Sequence, residues 1–72
     1  GDQGPLNIIV SPLRYTRKNL EQIRDILKRY PGRSKVNLTI KDSLGHSQIL
    51  ELDERFRVNR CPELETELSM YN

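Results

Sequence analysis

Residues 16–41, TRKNLEQIRDILKRYPGRSKVNLTIK, carry the pattern that decides the fold. The first half repeats apolar side chains at steps of three and four residues, which is the spacing of one face of an α-helix. The repeated residues are Leu20, Ile23, Leu27 and Tyr30. A helix with one buried face is therefore predicted here.

This helix has a predicted start and a predicted end. Thr16 is the N-cap candidate, because its hydroxyl can accept a hydrogen bond from a free amide of the first turn. Pro31 cannot continue a helix and Gly32 tolerates a left-handed turn, so the helix is expected to end there. Residues 36–41 then alternate apolar and polar side chains, which predicts a strand with one buried face.

Further strands are predicted on both sides of this unit. Residues 6–10 are apolar and β-branched and alternate as a strand does. Residues 42–46 predict a hairpin connection, with Gly45 available for a positive φ. Leu50 and Leu52 continue on the third strand, with a short fourth strand after it.

The chain closes with that fourth strand and a short helix. Phe56 and Val58 alternate on the strand, and Pro62 suits the first position of a helix. The apolar face of the last helix consists of Leu64, Leu68 and Tyr71.

The order β-α-β-β-β-α predicts an α+β fold. We expect a two-layer sandwich of a mixed sheet with one main helix and a short C-terminal helix. Residues 1–5 carry two glycines and a proline and are interpreted as a linker or a cloning remnant. Residues 6–72 are interpreted as a single domain.

Composition excludes several function classes. Seventy-two residues make one domain with a thin core and leave no room for a deep substrate cavity. The sequence has no apolar run long enough to span a membrane and no signal-peptide pattern. Its single cysteine, Cys61, rules out an internal disulfide, which favours a cytoplasmic location.

Catalytic chemistry is not expected of this chain. His46 is the only histidine and lies in a predicted turn, where a solvated side chain is the plain interpretation. One histidine and one cysteine cannot make a zinc site, and no glycine-rich phosphate loop is present. We therefore expect no catalytic, metal or cofactor residues, and a function exerted by binding.

The charges are unevenly distributed. The sequence holds nine basic and three acidic residues up to Lys41. From Asp42 onward it holds three basic and seven acidic residues. This asymmetry indicates either an acidic partner for the first half or complementarity within the fold. The residues considered as possible nucleic-acid contacts are Arg14, Arg17, Arg24 and Lys28. The alternative is a solvated helix face.

A protein interface is the other possibility. Two layers built on one sheet leave its second face uncovered, and Ile9 and Ile49 are expected to point to that face. They would belong to a docking surface, unless the last helix covers them.

One segment resembles a known family. Residues 20–38, LEQIRDILKRYPGRSKVNL, are similar to the last domain of the bacterial DNA polymerase III alpha subunit. In that family a helix ends in a Pro-Gly turn, and a charged or small pair leads into a Val-x-Leu strand. The similarity extends over about residues 6–71. It departs from the family at Arg33–Lys35, where members often carry an acidic residue and a proline.

The resemblance implies a specific role. The chain would be the C-terminal domain of a larger DNA-directed DNA polymerase, a nucleotidyltransferase whose catalytic residues lie upstream of it. It would itself be non-catalytic and would serve DNA replication by docking the polymerase to the tau subunit of the clamp loader and to other replisome proteins. The alternative function is an accessory nucleic-acid-binding domain that uses the basic face of the first helix. A small-molecule sensor is disfavoured, because no ligand loop is evident.

Overall fold

The structure is a computed structural model, and it describes residues 4–71. Its helices and strands are β1 (Leu6–Val10), α1 (Arg17–Lys28), β2 (Pro31–Ser34), β3 (Val36–Lys41), β4 (Ser47–Glu51) and α2 (Pro62–Leu68). Single 3-10 turns occupy Pro12–Arg14, Glu54–Phe56 and Ser69–Tyr71. Residues 1–3 of the predicted linker lie outside the described residues.

β1, β3 and β4 form one mixed sheet in the order β1-β3-β4. β1 runs parallel to β3, with Leu6 opposite Val36. β3 runs antiparallel to β4, with Leu38 opposite Leu50. The predicted α+β class and mixed sheet are confirmed.

The core lies between one face of this sheet and the two helices. α1 begins as predicted, because the Thr16 hydroxyl accepts a hydrogen bond of 3.2 Å from the Asn19 amide. Pro62 is the first residue of α2, as predicted, and α2 is a short helix of about two turns. The buried residues are Leu6, Ile8, Val10, Ile23, Ile26, Leu27, Val36, Leu38, Phe56, Val58, Leu64, Leu68 and Tyr71.

The Pro-Gly segment differs from its prediction. α1 ends at Lys28, before the proline, and residues Pro31–Ser34 are the short extended segment β2. Among residues 4–71, positive φ angles occur only at Gly4 and Gly45, so Gly32 makes no left-handed turn. A Cβ on Gly32 would lie 2.3 Å from the Asn59 amide nitrogen. Glycine is needed at this position for a close approach between two backbones.

The predicted fourth strand is also wrong. Residues Glu54–Phe56 form a 3-10 turn, in which the Asp53 carboxylate accepts a hydrogen bond of 3.0 Å from the Arg55 amide. Arg57 and Val58 after it are extended, but Val58 makes only isolated bridges, to Pro31 and Ser34. Phe56 and Val58 are buried as expected, because one 3-10 turn followed by extended backbone also brings two such residues to the core.

Glu67 joins the two helices. Its carboxylate accepts one hydrogen bond of 2.5 Å from the Tyr30 hydroxyl and another of 2.5 Å from the Arg29 guanidinium. The hydrogen bond to Glu67, reinforced by burial, raises the pKa of Tyr30 above its ordinary value. The reason is that a phenolate could not donate to the carboxylate and would repel it.

This contact predicts a pH dependence. Because the pKa of Tyr30 is raised in the folded state, its stabilisation is fully present below the ordinary tyrosine pKa of about 10. It is lost as the pH rises through the raised pKa. In an absorbance titration at alkaline pH, Tyr30→Phe should remove a late-titrating component, and Glu67→Gln should lower its pKa. If the component removed by Tyr30→Phe titrates at the ordinary value, the contact does not form in solution.

Candidate protein-interaction surface

The second face of the sheet is open to solvent. The buried residues of β1 and β3 alternate with residues that are exposed or half-buried, as expected for a sheet covered on one side. We call this second face the open face. Its residues are Asn7, Ile9, Asn37, Thr39, Lys41, Ser47, Ile49 and Glu51.

An apolar row crosses the open face at its centre. Ile9 lies opposite Thr39, and Thr39 lies opposite Ile49, so the three side chains are direct cross-strand neighbours. Ile9 is 43% exposed and Ile49 is 66% exposed. The expectation that the two isoleucines share one face is confirmed. Their use as an interface stays a prediction.

The last helix does not cover this row. α2 lies beside β1, where Glu65, Leu68 and Ser69 line a shallow groove with the strand and flank Ile9, which stays 43% exposed. Leu68 itself is buried in the core on the other face of the sheet. The alternative in which α2 covers both Ile9 and Ile49 is therefore wrong, because both side chains remain exposed.

Polar residues flank the apolar row on both sides. On one side the Asn37 amide donates a hydrogen bond of 3.3 Å to Asn7, and Glu51 lies 3.9 Å from the Lys35 ammonium. On the other side Lys41 lies opposite Ser47. An apolar centre with a polar rim is the usual composition of a protein-binding surface.

The predicted nucleic-acid contacts do not form one continuous basic surface. Arg14 is exposed at the end of the first 3-10 turn, before α1 begins. Arg17 pairs with Glu21 at 3.5 Å, and both side chains are largely exposed. Arg24 and Lys28 lie further along α1, beside Glu21 and Asp25. Acidic side chains therefore interrupt the basic stripe.

Arg24 and Lys28 instead contact an aromatic ring of the core. Their charged groups lie 5.3 Å and 5.9 Å from the centroid of the Phe56 ring, within the range of a cation–π interaction. Arg55 approaches the same ring at 5.7 Å. No local sequence signal marks Arg55 for this contact, because the strand predicted for Phe56 would not bring the two side chains together.

The remaining candidate side chains have structural surroundings. His46 lies in the hairpin at 3.4 Å from the Asp42 carboxylate and is mostly exposed, as predicted for a turn histidine. Cys61 is half-buried at the N-cap of α2 and packs against the core. Within residues 4–71, no three histidine, cysteine or acidic side chains are grouped so as to hold a metal ion.

The described chain is therefore a small two-layer α+β domain with one open sheet face. Over residues 4–71, neither helix has the length and apolarity needed to cross a lipid bilayer. Comparison with protein-family models, with characterised proteins and with solved structures gives no match.

Proposed function

We propose that this chain is a non-catalytic protein-interaction domain that binds its partner through the open face of the sheet. The particular partner that we propose is the tau subunit of a bacterial clamp loader. The chain would then be the C-terminal domain of a DNA polymerase III alpha subunit, and it would act in the cytoplasm during DNA replication.

The observation that carries this proposal is the exposed row formed by Ile9, Thr39 and Ile49. Burying a large aliphatic side chain is worth about 1.5–3 kcal/mol, so two isoleucines can contribute much of the free energy of a modest interface. The polar rim sets the orientation of the partner. The resemblance of residues 20–38 to the polymerase family supports the choice of tau.

Charging the centre of this row is expected to weaken the complex. Ile9→Asp with Ile49→Asp would place two carboxylates in a desolvated contact without partners, which costs binding free energy. We expect the affinity for tau to fall at least about 30-fold, as measured by calorimetric titration of tau into the folded domain. Circular dichroism should show an unchanged fold, because both side chains are substantially exposed.

The matched control places the same charges elsewhere. Leu13 and Leu44 are 93% and 80% exposed and lie outside the sheet, so Leu13→Asp with Leu44→Asp should leave the affinity unchanged. Equal losses in both double variants would argue against the open face. If the parent polymerase's C-terminal region binds tau equally well after deletion of this domain, tau is not its partner.

A further inference from the structure

β4 is an unprotected edge of the sheet. It is the outermost strand, and all five of its residues are exposed. The other edge is partly shielded, because α2 lies beside β1 and the Ser11 amide donates to the Tyr71 carbonyl at 3.4 Å. β4 contains neither proline nor lysine, the residues with which many proteins block strand pairing at an edge.

The backbone groups that face outward from β4 can be identified. The Asp42 amide donates to the His46 carbonyl, and the Leu52 amide donates to the Val36 carbonyl, each at 2.9 Å. In an antiparallel pair, inward and outward residues alternate along the strand. His46 and Leu52 face inward, and the residues that face outward are therefore Ser47, Ile49 and Glu51.

These three outward residues are symmetric about Ile49. We propose that β4 pairs antiparallel with β4 of a second copy of this chain, with the two-fold axis at Ile49. Each Ile49 then exchanges both backbone hydrogen bonds with Ile49 of the second copy, and Ser47 does so with Glu51. About six hydrogen bonds form, and every outward N–H and C=O of the strand is paired.

Side-chain charges fit this register. Glu51 lies opposite Ser47 of the second copy, and Lys41 is the next residue beyond that serine on the same face. The two charged residues are two strand spacings apart, about 10 Å between Cα atoms, and only a small side chain separates them. Their long side chains can meet above the serine. Symmetry repeats this Glu51–Lys41 pair at the other end of the interface.

Apolar side chains also fit. The row of Ile9, Thr39 and Ile49 becomes continuous with the same row of the second copy, so one apolar stripe crosses six strands. On the opposite face, the partly exposed Leu50 lies against Gln48 of the second copy. The contact leaves the open face itself uncovered, so the dimer does not depend on the proposed tau binding and does not compete with it.

The interface is small, and we expect a weak dimer. A contact of one five-residue strand lies below the size of stable interfaces, which corresponds to a dissociation constant between about 10 µM and 1 mM. Sedimentation equilibrium over a concentration series should show a reversible monomer–dimer transition in that range. A purely monomeric wild type up to about 1 mM would overturn the proposal.

Charge reversal tests the register. Glu51→Lys alone and Lys41→Glu alone should each weaken the dimer at least about tenfold, because each places like charges together across the interface. The double variant Lys41→Glu with Glu51→Lys should restore it. A dimer that is insensitive to the single reversals, or that the double variant does not restore, would show that another surface associates.

A second pair of variants tests the centre of the interface. Ile49→Lys places two lysines opposite each other at the two-fold axis and should give a monomer, whereas Leu13→Lys should dimerise like the wild type. Circular dichroism verifies that both variants are folded. Equal association of the two variants would overturn the pairing at Ile49. The tau titration is to be run with the domain below the dissociation constant that sedimentation gives for the dimer. Failure of this proposal and failure of tau binding are then distinguishable.

Discussion

Replacing Gly32 by alanine is expected to destabilise this domain severely. The new Cβ would lie between 2.3 and 2.5 Å from three backbone atoms of Val58 and Asn59. Backbone cannot rotate aside as a flexible side chain can, so β2 would have to separate from Val58. That separation would break the hydrogen bonds from the Gly32 amide to the Arg57 carbonyl and from the Asn59 amide to the Tyr30 carbonyl.

The expected loss is about 3 kcal/mol, the upper end of the usual range for overpacked sites. A chain of 72 residues has about 4–11 kcal/mol of stability in total, so Gly32→Ala should lose a large share of it. Urea denaturation followed by circular dichroism measures this loss.

Gly45→Ala is the matched control for this prediction. Gly45 has a φ of 84° and open space around its missing side chain, so alanine there costs only backbone strain, about 1 kcal/mol. If Gly32→Ala is no less stable than Gly45→Ala, β2 does not pack against Val58 in solution.

Leu27→Ala is the second substitution with a large expected effect. Leu27 is 0% exposed at the centre of the core. Truncating it removes buried apolar surface and leaves a cavity, which costs about 2–5 kcal/mol. The midpoint of urea unfolding should fall accordingly, with little change in the slope of the transition.

The exposed Leu13 supplies the control for this cavity. It is 93% exposed, so Leu13→Ala should change the free energy of unfolding by no more than about 0.5 kcal/mol. A Leu27→Ala loss as small as that of Leu13→Ala would contradict the core described above.

The wild type should unfold at the same urea concentration with or without chelator or reductant, because we expect neither a metal nor a disulfide to support the fold.

Elements defined by local periodicity were predicted correctly from sequence. The spacing of Leu20, Ile23 and Leu27 and the hydroxyl of Thr16 fix α1 within one stretch of chain. The faces of Ile9 and Ile49 followed from alternation alone, because the side-chain period of a strand is two. These features require no knowledge of what packs against them.

Features that depend on distant partners could not be predicted in the same way. The role of Gly32 depends on Val58, and the positions of Arg24 and Lys28 depend on Phe56. Two apolar residues at alternate positions, such as Phe56 and Val58, fit a strand or the end of a 3-10 turn equally well. The sequence gives no local signal that separates the two, and only the tertiary pairing with β2 decides.

The candidate surface was predicted only in part. Hairpin geometry fixes the register of β4 on β3, but the register of β1 on β3 depends on packing between distant segments. The alignment of Ile9, Thr39 and Ile49 in one row was therefore not available from sequence. The link between Tyr30 and Glu67 was missed for the same reason, since an acidic residue at a helix surface carries no signal of its partner.

The parallel pairing of β1 with β3 has a consequence for the order of folding during synthesis. β1 leaves the ribosome before its sheet neighbour β3, which begins 30 residues later, at the spacing of the Asn7–Asn37 contact. The Tyr71 hydroxyl then donates to Gln22 across 49 residues. At a synthesis rate of about 5–20 residues per second, β1 and α1 are made seconds before the segments that pack against them. We therefore expect the nascent chain to fold in one late step rather than element by element.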